Sequence, residues 1–258
     1  MLKRKAMGHV HFEGFSAELF HFLNSLSENN SRAWIEEHRR DYEALVLRPV
    51  KALVSDLGTL LRGLNEDFDA EPRVGRTVSR ITNDLKLHKS LPACNPFLYS
   101  CFPRRGHRVS SEPLLAVGVY GHGVSVGFYP GLFNRVRAGR IQEGIKRNQR
   151  LFQRYLDELD ITGRYWELTR GEDGPVMKWP LPKTARRWVK LESFTVGEYF
   201  PSSEPVVSSR AFLDRARGIL FDLYPLWLFS MSDDLKTVYE LYRERTAAPA
   251  RRLVRVAG

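Results

Sequence analysis

The chain has 258 residues, is 43% hydrophobic and 12% aromatic, and carries a formal net charge of +10. This composition lies far from that of a disordered chain and supplies ample apolar mass for a packed core. It also argues against a membrane span: no stretch approaches ~20 uninterrupted apolar residues, and the best candidate, "GILFDLYPLWLFS", is broken by Asp222 and Pro225.

The charge sits mostly at the ends. Residues 1–9 carry +3 and residues 243–258 carry +4, leaving +3 for the body between them. Both ends read as basic extensions, the second a disordered tail, flanking one domain over 10–242. "MLKRKAMGHVHFEGF" is basic but is followed by no apolar region, which does not fit a secretory signal. Cys94 and Cys101 are too few for a disulfide framework or a zinc set and fit a reducing compartment, so the expected location is cytoplasmic.

Residues 15–63 carry helical periodicity. Ser16 is placed to cap a first helix with Leu19, Phe20, Leu23 and Leu26 on its apolar stripe, ended by Asn29 and Asn30. Ser31 is placed to cap a second helix carrying Trp34, Ile35, His38, Tyr42 and Leu45, and Pro49 fits the start of a third. "RTVSRITNDLKL" alternates and predicts a strand running into a basic loop. "LLAVGVYGHGVSVGFY" predicts a hairpin around Gly121-His122-Gly123, and Gly118 and Gly127 within it imply a bulge or a close approach to the sheet. Residues 134–159 predict one long helix, "GRYWELTR" and "RRWVKLESFTVGEYF" two strands, and "SRAFLDRARGILFDLY" and "SDDLKTVYELYRER" closing helices, the last capped by Ser232. The fold expected is α+β: an N-terminal helical segment packed on a mostly antiparallel sheet, with a long middle helix and C-terminal helices.

"NNSRAWIEEHRRDYEALVLRP" resembles the N-terminal signature of the bacterial domain-of-unknown-function family 2461, with Asn29, Asn30, Trp34, Arg39, Tyr42 and Pro49 in register. Arg80, Ile81 and Asp84 resemble its next block, "GVSVGFYP" its glycine-rich strand, and "KLESF" and "LYPLWLF" its closing strand and helix. The likeness spans about residues 15–230 and implies a fold plan but no activity. Asn83 stands where the family usually has arginine, and "LHKSLPACNPF" lacks the expected tyrosine–lysine pair.

The segment "SRITNDLKLHK" gathers Arg80, Asp84, Lys86, His88 and Lys89. Guanidinium and ammonium groups there suit a phosphate or carboxylate, Asp84 can orient one of them, and His88 titrates near neutrality. The plainer alternative is a structural Arg80–Asp84 ion pair with solvated lysines. Arg39 and Tyr42 share a helix face and are placed to join Arg80 across a groove, or else serve as surface and core. The arginine face of "RVRAGRIQEGIKRNQR" suits either a phosphate backbone or solvent. His9, His11 and Glu13 fall short of a metal set, and neither a catalytic-serine elbow nor a nucleotide-binding glycine fingerprint occurs, so no cofactor is expected. Three functions remain open: binding of an anionic ligand or nucleic acid through the basic groove, an enzyme acting on a phosphate-bearing substrate, or a protein-interaction domain. The sequence leaves the oligomeric state open.

Overall fold

The computed structural model describes residues 10–84, 90–130, 135–170, 176–191 and 195–254. The N-terminal segment is helical as its periodicity predicts, but its middle is not a plain α-helix. Helix α1 (Ala17–Glu28) is followed by α2 (Arg32–Glu37), capped where Ser31 Oγ accepts from the Trp34 N–H at 3.2 Å. A short α3 (Arg39–Asp41) runs through a π-helical stretch, Tyr42–Leu47, into α4 (Arg48–Leu61). Pro49 explains the widened turn. It has no N–H to give and its ring crowds the preceding turn, so the chain keeps its direction by spacing the bonds one residue further apart.

The sheet has six strands: β1 (Phe97–Cys101), β2 (Leu114–Tyr120), β3 (Gly123–Tyr129), β4 (Trp166–Arg170), β5 (Val176–Pro180) and β6 (Val196–Pro201). Their order is β1-β2-β3-β6-β4-β5, with every neighbouring pair antiparallel. The predicted hairpin is β2–β3, closed by Gly121 and His122, and its register runs unbroken from Leu114↔Tyr129 to Tyr120↔Gly123. There is no bulge within it. Gly118 and Gly127 mark close approach instead: a Cβ on Gly118 would meet the hydroxyls of Tyr120 and Ser125, and Gly127 lies opposite Gly197 of β6.

Alternation gives the sheet two faces. Leu115, Val117, Val119, Val124, Val126, Phe128, Val196 and Phe200 point into the main core. They meet α1, α4 and α9 (Ala211–Met231). Full burial of each such side chain contributes about 1.5–3 kcal/mol, and α9 is apolar nearly all round because it is enclosed by the sheet on one side and helices on the other. It passes through Pro225 without ending.

Four expectations change. Within its described residues, 76–84, "RTVSRITNDLKL" forms isolated bridges, Val78↔Ser100 and Thr82↔Cys94, rather than a strand, because Ser79 Oγ intercepts the Tyr99 N–H at 2.9 Å and interrupts the ladder. The long middle helix is two, α5 (Arg135–Arg147) and α6 (Gln149–Glu158). They are broken at Asn148, whose side chain donates back to the Gly144 carbonyl at 3.1 Å. Helix α7 (Ile161–Arg164) follows, and "RRWVKLESFTVGEYF" holds helix α8 (Ala185–Trp188) before β6. The last helix, α10 (Leu235–Val254), is capped by Asp234 rather than Ser232 and continues past the expected boundary at residue 242.

Helix α5 lies on α9 so closely that a methyl at Gly144 would strike the Phe229 carbonyl. Gly144→Ala should therefore destabilise the protein by about 1–3 kcal/mol, whereas Gly139→Ala on the same helix meets nothing and should be neutral or stabilising. Urea midpoints with unchanged m-values would measure both.

Candidate functional site: a cleft on the second face of the sheet

The second face carries Tyr99 and Cys101 of β1, Ala116, Gly118 and Tyr120 of β2, and Ser125, Gly127 and Tyr129 of β3. Small residues and hydroxyls stand where a solvated face would carry charges. Between this face and the segment 75–84 lies a cleft of about 690 Å³. Its floor is Tyr99, Cys101, Ala116 and Tyr129, and its rim includes Arg80, Asn83, Asp84 and Asn95.

The rim is held by buried charge. Asp69 is buried and accepts from Arg73 Nη2 at 2.6 Å, Arg76 Nε at 2.5 Å and the Glu71 N–H at 3.2 Å. Arg76 also donates to the carbonyls of Arg104 and His107. Another buried carboxylate, Glu112, takes three bonds from Arg104 and lies 3.0 Å from His107 Nδ1. Further along, Asn30 bonds both backbone groups of Cys94, Arg32 donates to the Asn83 carbonyl, and Asn83 and Asn95 exchange amide bonds at 2.8 and 3.0 Å. The paired-asparagine signature is thus partly a clamp on the loop that forms the rim.

Gly75, at φ +82°, turns the chain, and its missing side chain leaves space for Arg80, whose Nε would lie 3.1 Å from a Cβ there. The Arg80 guanidinium is exposed and makes no hydrogen bond or ion pair among the described residues. No ion pair joins it to Asp84, so the structural-pair alternative is not what the fold uses. Behind the floor, Tyr120 Oη lies 3.0 Å from Tyr99 Oη and 3.3 Å from Ser125 Oγ, which lies 2.8 Å from Tyr129 Oη. Burial holds the Tyr120 and Tyr129 hydroxyls well above the usual tyrosine value, and it pushes the Cys101 thiol up to about 12. These three groups are therefore neutral at physiological pH and donate rather than abstract protons.

The other sequence candidates lie elsewhere. Arg39 is exposed and bonded to Glu36 at 2.6 and 3.0 Å, with Glu43 at 3.9 Å. Tyr42 is buried beside Phe22, and its hydroxyl is pushed up to about 12 by burial. Neither reaches the cleft. Lys86, His88 and Lys89 lie outside the described residues. Sequence reasoning missed Tyr99, Ser125 and Tyr129, although the run of small and hydroxyl residues at alternate positions of β2 and β3 was a usable signal.

Asp69 yields a prediction. Burial opposes its charge, but bonds from Arg76, the Glu71 N–H and Arg73 outweigh it, and its carboxyl lies below the usual range. Its contribution is thus complete above the unfolded-state value of about 3.9 and is lost as pH falls through the lower folded value. Asp69→Asn should cost about 3 kcal/mol at pH 7, near the lower end for breaking a buried pair because both guanidiniums keep some water contact. Urea melts from pH 7 to pH 2 should show the deficit shrinking only in acid.

Comparison with known proteins places the chain. The family described as Conserved hypothetical protein (DUF2461) matches residues 18–229, and the chain belongs to it. No functionally curated protein matches the chain. Among the described residues, no helix is long and apolar enough to cross a membrane.

Proposed function

We propose that this member of the DUF2461 family is a binding protein for a small anionic ligand, held in the cleft with its charged group on Arg80 and its body over Tyr99, Tyr129 and Ala116. The observation that supports this best is the Arg80 guanidinium, uncommitted among the described residues and poised at the rim of a cleft about 690 Å³ in volume. That volume falls within the range of small-molecule sites. The neutral hydroxyl of Tyr129 and the neutral thiol of Cys101 on the floor favour binding over covalent chemistry. Two free, buried cysteines support a cytoplasmic setting. Arg39 and Tyr42 take no part in this reading.

Calorimetry with phenyl phosphate and benzoate tests it. Arg80→Ala should weaken both by about ten-fold or more, the worth of a charge-assisted bond. An exposed position should leave stability within about 0.5 kcal/mol. Equal affinity in wild type and variant would defeat the reading.

A second reading, nucleic-acid binding, has one specific observation behind it. At the α5–α6 junction a groove is lined by Lys146, Arg147, Arg150, Arg154 and Lys236 against the single carboxylate of Glu240, which is bonded to Arg154. If a phosphate backbone lies there, R147E/R150E should weaken binding of mixed-sequence RNA and flatten its logarithmic salt slope by about 2, while Arg80→Ala should leave RNA binding unchanged. An unaltered slope would remove this groove from consideration.

A further inference from the structure

We infer that the cleft selects ligands carrying an oxyanion by presenting them with the hydroxyl proton of Tyr99, the last member of a directed chain of hydroxyls. The inference rests on the binding reading above and adds to it the chemical class of the ligand and a residue that determines it.

The direction follows from the bonds. Tyr120 Oη donates to Tyr99 Oη, and Ser125 Oγ donates to Tyr120 Oη. The 2.8 Å contact between Ser125 and Tyr129 admits either donor; with the Ser125 proton given to Tyr120 it is filled by the Tyr129 proton, and Tyr129 also bonds Tyr120. Each proton is therefore passed towards β1, and the Tyr99 proton meets no acceptor among the described residues. Tyr99 and Tyr129 both line the cleft, yet they differ in role. Tyr129 gives its proton inward, and Tyr99 offers its own to whatever the cleft holds.

Hydrogen bonds in series polarise one another, so the terminal O–H is a better donor than an isolated phenol. The Arg80 guanidinium, also a pure donor, lines the same cleft. An atom that satisfies both is an oxygen bearing negative charge and no proton. Carboxylates and ionised phosphate esters qualify. Alcohols and amines bring a proton of their own and gain less from two donors. The aromatic and small apolar floor adds a preference for a flat or apolar body behind the charged group.

The test is calorimetry on the full chain with phenyl phosphate, benzoate and the neutral benzyl alcohol. Tyr99→Phe should weaken both anions by about ten-fold or more and benzyl alcohol by no more than about two-fold. Tyr129→Phe, further back in the chain, should weaken the anions by only a few-fold. Because Tyr99→Phe also takes an acceptor from Tyr120, 3-fluorotyrosine at position 99 supplies a variant that keeps shape and hydroxyl. Its stronger donor should tighten both anions several-fold, which a purely structural role would not do. Anion binding that depends on Arg80 but is unchanged by Tyr99→Phe or by fluorination would overturn this inference alone. Failure of the wild type to bind either anion would overturn the binding reading and this inference together.

Discussion

Asp69 is only 3% exposed and sits in a structure where a lone buried carboxylate would be costly. The fold meets that cost by bringing two guanidiniums and a backbone N–H to it, and the geometry of those bonds dictates the path of the segment from 69 to 79. Arg76 then ties the segment to the loop 104–107, and Ser79 takes over the Tyr99 N–H at the edge of the sheet. By residue 80 the chain has been placed over the second face of the sheet, and the cleft beneath it follows from that placement.

How much of this could be read from the chain depended on how locally each element is specified. The β2–β3 hairpin was legible because alternation and glycine punctuation agree within sixteen residues. Strand β5, "VMKWP", was not: four of its five side chains are exposed, so no burial pattern marks it. "RRWVKLESFTVGEYF" looked like one β-rich run, yet Trp188 is fully buried through a helical turn and donates its indole N–H to the Pro182 carbonyl. Tertiary packing overrode local preference there. The break at Asn148 was hidden because apolar periodicity continues across it, from Ile145 to Phe152.

The site divides in the same way. Arg80 could be found because charge stands out in a sequence, and its position at the cleft rim depends on Gly75, a neighbour close in the chain. Arg39 and Tyr42 share a helix face in the sequence pattern, but that face meets Glu36 and Phe22 rather than the cleft. The tyrosines come from three strands and acquire meaning only through the register that sets Tyr99 opposite Gly118, and Gly118 opposite Ser125. Register is a long-range property, and composition does not encode it.

The sheet ends in β5, whose far edge pairs with no described strand and whose Met177 and Trp179 are 46% and 50% exposed. An open, sticky edge of this kind is where chains fuse into fibrils. Lys178 and Pro180 alternate with those two residues along the strand and lie on its opposite face. An incoming strand would have to desolvate the ammonium and would find no N–H at the proline. The strand that contributes least to the core therefore carries a charge and a proline, the residue types that oppose end-to-end growth at an open edge.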